Sequence, residues 1–273
     1  MRNSSMYGAQ ESAHRRLTEG GVNASNGDEP LQTGFAMRIF IHSLKLIFDN
    51  FGQALRLTLL PYLAVSALSL LVFPLSGGDV RTASLLAVVP AIANGITALW
   101  AAVAWHRFIL LDETAVGWVA PLKWDRIAAY FVRSIIVGLL FVPLLIAFAI
   151  LNFTMMGLGG GVGTVAAVVV MIFAVLVISY RLSPVLVAAA LGAPLPIAQA
   201  WEATRGHAGE FLGLSVLSLI SVGVVAALTW AIGRGNYALA MAWDVIAEWG
   251  WRIGAISIIT TIYGHYVEKR PIG

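Results

Sequence analysis

Charged residues are so sparse along this chain that the gaps between them outline its architecture. Residues 57–78, 82–105, 134–180 and 211–233 carry none. A helix needs about 20 apolar residues to cross about 30 Å of hydrocarbon, so three of these runs each predict one transmembrane helix. The run 134–180 is too long for one span, and Met156-Gly157-Leu158-Gly159-Gly160-Gly161-Val162-Gly163 interrupts it. It predicts two spans, near 135–151 and 164–180, joined by a glycine turn. A sixth span must end before Glu268, yet only a short uncharged stretch follows Arg252. The expectation there is a helix at the outer surface that bends into a span around residues 249–252.

A second pattern precedes the odd-numbered spans. Ala36, Ile39, Phe40, Ser43, Leu44, Ile47, Phe48 and Phe51 recur at helical spacing, with Arg38, His42, Lys45 and Asp49 on the other face. A basic amphipathic helix of this kind lies in the headgroup layer. Trp124, Ile127, Ala128 and Phe131 oppose Lys123, Arg126 and Arg133 in the same way. Trp201 and Arg205 mark a third such helix, introduced by Pro194 and Pro196. Leu44, Trp124 and Trp201 stand 80 and 77 residues apart. The chain thus reads as a threefold repeat of inner-surface helix, span out, short outer loop and span back. His106, Tyr180 and His265 then mark the inner ends of the even-numbered spans. The fold class is all-α integral membrane: six transmembrane helices in three helical hairpins, with amphipathic interfacial helices on the cytoplasmic side.

Composition agrees. The chain is 59% hydrophobic and 11% charged, with a mean hydropathy of +0.84, too little polar surface to cover a soluble protein of 273 residues. Residues 1–34 are polar and read as a disordered cytoplasmic tail without the apolar core of a signal peptide. Residues 35–273 form the membrane domain. Cysteine is absent, which removes disulfides and thiolate chemistry. With the N-terminus inside, fourteen of the seventeen Lys and Arg fall on the inner side and only Arg81, Arg234 and Arg252 outside. That bias predicts a membrane protein with both termini cytoplasmic.

Motifs with a known mechanism are missing: there is no H-E-x-x-H, G-x-S-x-G or phosphate-binding loop. The glycine run lacks the cationic partner a phosphate loop uses. No catalytic, metal or cofactor-binding residue is assigned, and no nucleic-acid partner is expected. His207-x-x-Glu210 and His106 with Asp112 and Glu113 supply ligand types, but read first as wet helix ends. Arg107, Arg181, Trp201 and Arg205 are candidate contacts to the bilayer and to anionic lipid headgroups. Glu248 and Arg252, with Asp244, are spaced i, i+4, i+8 and are candidate intramembrane polar residues, since ionisable groups inside a bilayer are costly and functional. An outer surface helix explains them equally. Asn152-Phe153-Thr154 matches the glycosylation sequon, which matters only in a eukaryotic secretory pathway.

Arg181-Leu182-Ser183-Pro184, the run from Ala188 to Gly192, and Pro194-Leu195-Pro196 leading to Trp201-Glu202-Ala203-Thr204-Arg205-Gly206 resemble a group of uncharacterised bacterial inner-membrane proteins. That group is similar to the membrane domain attached to some glycerophosphoryl diester phosphodiesterases. His106-Arg107-Phe108 departs from the His-Arg-Gly of that enzyme, and no stretch here is long enough for its catalytic barrel, so no catalytic residue carries over. The leading expectation is a non-enzymatic accessory or interaction module, with a protein partner or a second copy of itself. A small transporter or lipid-handling protein comes second, and a membrane-embedded enzyme last.

Overall fold

The computed structural model describes residues 33–114, 117, 119–157 and 161–272. The polar tail up to residue 32, and residues 158–160 of the glycine run, lie outside them. All regular structure among the described residues is helical: α1 (Thr33–Asp49), α2 (Phe51–Leu70), α3 (Val72–Leu75), α4 (Val80–Leu111), α5 (Trp124–Met155), α6 (Gly161–Leu191), α7 (Ile197–Ala203), α8 (Ala208–Gly235) and α9 (Tyr237–Tyr266). Six of them, α2, α4, α5, α6, α8 and α9, are long and apolar enough to cross a membrane. The chain is a multi-pass α-helical membrane protein.

Prolines decide where these helices yield. A proline nitrogen has no hydrogen to offer the carbonyl four residues back, and its ring crowds that carbonyl. Pro74, Pro90 and Pro143 stand four residues after Leu70, Leu86 and Leu139. At those places α2 ends, α4 turns at Ala87, and α5 turns at Leu140-Phe141. Pro61 stands four residues after Leu57, and the helix there widens into a π segment, Leu55–Leu59. Pro184 is different, because α6 passes through it to Leu191. The Ser183 hydroxyl donates to the Tyr180 carbonyl at 2.8 Å, supplying the donor that the proline lacks.

This repair moves a boundary that the sequence alone places at Tyr180-Arg181. The fourth span runs on to Leu191, and its last turns are its most buried part, with Leu182, Val185, Val187, Ala188, Ala189 and Ala190 all enclosed. Small side chains there let α4 and α9 approach closely. Gly192, at φ +85°, closes the helix. Its N–H and that of Ala193 both return to the Ala188 carbonyl, at 3.1 and 3.0 Å, a left-handed cap that glycine adopts without strain.

The last span also differs from expectation. Asn236 caps α9, its side chain accepting from the Leu239 N–H at 3.1 Å, and the helix continues without a bend to Tyr266. Asp244, Glu248 and Arg252 therefore lie on the same continuous helix as the apolar stretch that follows them. Arg252 and Glu248 find partners on α2 and α4, described below, so the helix does not need to carry them out of the bundle.

Packing is dense at the end where α4, α6 and α9 finish and loose at the other. The amphipathic α1 divides its apolar stripe. Ala36, Ile39, Ser43 and Ile47 are buried, and the upper part of this row meets α8 and α9 rather than α2. Leu44, Phe48 and Phe51 stay exposed. The first half of α5 packs on α4 and α6, and α7 packs on α6. At the opposite end, the second half of α5 touches only α6 among its strong contacts, and Leu145, Ile146, Phe153, Val165 and Val170 face outward.

Replacing Ser183 with Ala should destabilise the protein by about 1–3 kcal/mol, the cost of leaving a buried carbonyl without a donor. The same change made together with Pro184→Ala should cost much less, because the restored N–H at 184 takes the Tyr180 carbonyl. Thermal unfolding of the two single variants and the double variant in detergent checks the coupling.

Candidate functional site

The polar residues of α9 meet at its middle. Arg252 is the sixteenth of thirty residues in a helix about 45 Å long. Its guanidinium pairs with Glu248, one turn earlier, and donates to Asn94 Oδ1 of α4 at 2.5 Å. The Tyr62 hydroxyl of α2 donates to the other Glu248 oxygen at 2.9 Å. The Tyr62 ring also lies under the Arg252 guanidinium, 5.0 Å away. Beside this cluster the Trp249 indole donates to Thr58 Oγ1 at 2.8 Å, fixing α9 to α2. Toward the loose end, the Thr229 hydroxyl of α8 donates to Asp244 at 3.1 Å. A lone charge within a bilayer is expensive. A neutral pair with hydrogen bonds from three helices is the form in which it can be kept.

Two crevices are each lined by one member of the pair, and a third lies nearby against Trp251. One of about 340 Å³ is bounded by Thr58, Tyr62, Tyr130, Trp249 and Arg252, so it lies among α2, α4, α5 and α9. The second, of about 470 Å³, lies between α8 and α9 and is lined by Val222, Val225, Asp244, Glu248 and Trp251. The third, of about 510 Å³, is largely apolar and opens among Phe40 and Leu44 of α1, Val224 of α8, and Trp243 and Trp251 of α9. Trp251 borders all three. The Trp243 indole nitrogen is buried without a hydrogen-bond partner. Arg252 thus faces one crevice and Glu248 another.

The remaining candidates fall at the dense end. Arg107 is only 12% exposed. It pairs with Glu113, through Nε at 2.9 Å and through a second nitrogen. It also donates to the Ala190 and Leu191 carbonyls at 2.9 and 3.3 Å, so it seals the C-terminus of α6. Lys123 completes the cluster at 2.7 Å from Glu113. Hydrogen bonds from Arg107, then from Lys123, hold the Glu113 carboxyl down at about 2. Arg181 lies over the Trp201 ring at 3.5 Å and donates to the Trp201 carbonyl at 3.2 Å. Arg205, exposed, pairs with Glu202 at 3.3 Å. The structure therefore brings Arg181 and Trp201 together, and Arg205 binds its own helix.

The histidines divide as well. His207 Nδ1 lies 2.9 Å from Glu210, whose second oxygen accepts from the Tyr266 hydroxyl. His106 is fully buried and bonds Thr260 at 2.8 Å instead. The Thr260 hydroxyl already donates to the Ile256 carbonyl, so His106 Nδ1 carries the hydrogen and donates. Among the described residues no three His, Asp or Glu side chains are placed to hold a metal.

Tyr62 and Asn94 were not singled out by sequence reasoning. Each is an isolated polar residue in an apolar run, which is the signal that marks an intramembrane partner for a charge. Comparison of the chain with family models, with curated proteins and with solved structures finds no match.

Two outcomes follow from these pairs. The carboxyl of Glu113 is held below its ordinary 4.5, so its pairing supports the fold at neutral pH and is lost as pH falls toward 2. Melting temperature in detergent should therefore decline between those values, and Glu113→Gln should flatten that part of the profile. Glu248→Ala leaves Arg252 unpaired at mid-helix and should destabilise by about 2.5–3.5 kcal/mol, the cost of a lone arginine there. Adding Arg252→Leu should recover much of the loss in the same melting assay.

Proposed function

We propose that this chain is a lipid-handling membrane protein that holds an amphipathic molecule in the crevices around Trp251, its polar end at Glu248 and Arg252. The observation that carries this reading is the charged pair at the middle of the last span, with a crevice on either side. A bundle serving only as an anchor gains nothing from charges at that depth. Crevices of about 340 to 510 Å³, apolar and aromatic with a few convergent polar groups, have the size and character of small-molecule sites. The resemblance to the membrane domain of certain glycerophosphoryl diester phosphodiesterases is in keeping with a lipid ligand.

The same reading sets the protein in a bacterial inner membrane with both termini in the cytoplasm and the spans forming three hairpins. The dense end faces the cytoplasm, where α1, the start of α5 and α7 meet the headgroup layer. Leu44, Trp124 and Trp201 are all exposed, at 37%, 60% and 41%, which supports that role. With Arg252 in the middle of α9, the outer ends of the spans carry only Arg81 and Arg234, in keeping with the positive-inside rule. Arg181, Trp201 and Arg205 are suited to anionic headgroups. A non-enzymatic accessory role is the second reading, favoured by the outward-facing second half of α5 and first half of α6, a surface for a protein partner or a second copy.

Native mass spectrometry from mild detergent should find a lipid-sized molecule on the wild-type protein and much less on Trp251→Ala. An empty wild-type protein, or equal loading of both, would overturn the lipid reading. Because the chain has no cysteine, orientation is read from single replacements. Val80→Cys should react with an impermeant maleimide on intact spheroplasts, and Glu202→Cys only after permeabilisation.

A further inference from the structure

We infer that the polar end of the ligand is an anion that takes the place of Glu248 on Arg252, and that each anion bound brings one proton to Glu248. This rests on the lipid-handling reading above and names the ligand's charge and what accompanies it.

Charge balance requires the proton. In the resting state the guanidinium and the carboxylate cancel, which is what a site at mid-helix requires. Arg252 lines one crevice and Glu248 the other, so an anion arriving in the first meets the guanidinium from the side Glu248 does not occupy. If it binds and Glu248 stays ionised, the site holds two negative charges against one positive in a low-dielectric setting. Taking up one proton removes the excess: an O–H bond forms on Glu248, the guanidinium–carboxylate pair is replaced by a guanidinium–anion pair, and the net charge of the site is what it was before the anion arrived. No other bond is made or broken.

The surroundings single out Glu248 as the proton acceptor. On its own helix it is flanked by Asp244 and Arg252. From α2 it faces Tyr62, and α4 contributes the uncharged Asn94 to Arg252. The α8 side of its crevice is Val222, Val225 and Ala226, with no titratable group. Asp244 is bonded to Thr229 of α8 instead and does not touch the guanidinium. Glu248 can therefore lose its cation to an anion, and Asp244 has none to lose. As a neutral acid, Glu248 still accepts the Tyr62 hydroxyl, so the α2–α9 contact survives the exchange.

The probe is decane-1-sulfonate, whose headgroup stays ionised across the working range, so any pH dependence belongs to the protein. Binding is measured by calorimetry on the full chain in phosphatidylcholine nanodiscs, in two buffers of different ionisation heat. Wild-type protein should take up one proton per sulfonate and bind about tenfold tighter for each unit fall in pH while free Glu248 is ionised. Glu248→Gln should bind tightly at every pH with no proton uptake, Asp244→Asn should behave as wild type, and Arg252→Gln should lose sulfonate binding. Sulfonate binding without proton uptake, or coupling that survives Glu248→Gln or disappears in Asp244→Asn, would overturn the inference and leave the lipid-handling reading in place. So would decanol or decyltrimethylammonium binding as well as sulfonate in both wild type and Arg252→Gln. Failure of all three amphiphiles to bind a protein that elutes as a single folded species would overturn both. Tyr62→Phe, which keeps the ion pair and removes only the hydroxyl, should retain proton uptake and guards against misfolding of the Glu248 variant.

Discussion

Hydrocarbon supplies no hydrogen bonds, so a carbonyl freed inside a membrane helix must be met by the protein or the helix must yield. Each proline creates a carbonyl without its helical partner. In α2, α4 and α5 the helix turns or widens where that happens. In α6 the Ser183 hydroxyl takes the carbonyl and the helix continues. Helix ends receive the same treatment. Arg107 covers the last carbonyls of α6, and Arg270 donates to the Leu110 carbonyl near the end of α4 at 2.8 Å. Both are cations at helix C-termini, where the backbone dipole favours them.

The same constraint explains the division between the two ends of the bundle. Where small residues crowd, at Ala188, Ala189 and Ala190, three spans close on one another and the interior is filled. Toward the opposite end the side chains are larger and branched and turn outward, so the helices part and crevices form between them. The Glu248–Arg252 pair sits at the changeover. It is supported from below by the Trp249–Thr58 bond and left with open volume on both flanks. The pair is thus held from one side by packed helices and borders open volume on its flanks.

Much of the architecture was legible in the sequence because charge is scarce: the uncharged runs mark six apolar helices, though the segment expected as a separate helix before the third span is the first half of α5 itself. Two boundaries were not. Tyr180-Arg181 looks like the end of a span because an arginine follows a long apolar run, and nothing local announces that Ser183 will carry the helix past Pro184. In α9 the i, i+4, i+8 charges read as a surface helix, since their partners, Tyr62 and Asn94, lie 186 and 158 residues away in the chain. Those residue types are individually unremarkable, and their role appears only when α2 and α4 are brought against α9. The site's charged half could be named in advance, but its neutral half could not.

The docking of α1 on α8 and α9 has a consequence for how the chain is assembled. Ser43 meets Thr261 across a separation of 218 residues, with their hydroxyl oxygens 3.0 Å apart. Synthesis runs from the N-terminus, so α1 emerges with Ala36 and Ile39 exposed, and these wait for the final pair of spans before they have their buried partners. The bundle is therefore closed like a clasp, its earliest helix fastening onto its latest ones. Until that fastening, Ala36 and Ile39 lack the α8 and α9 side chains that enclose them, while Ile47 already has residues of α2 and α4 to pack on.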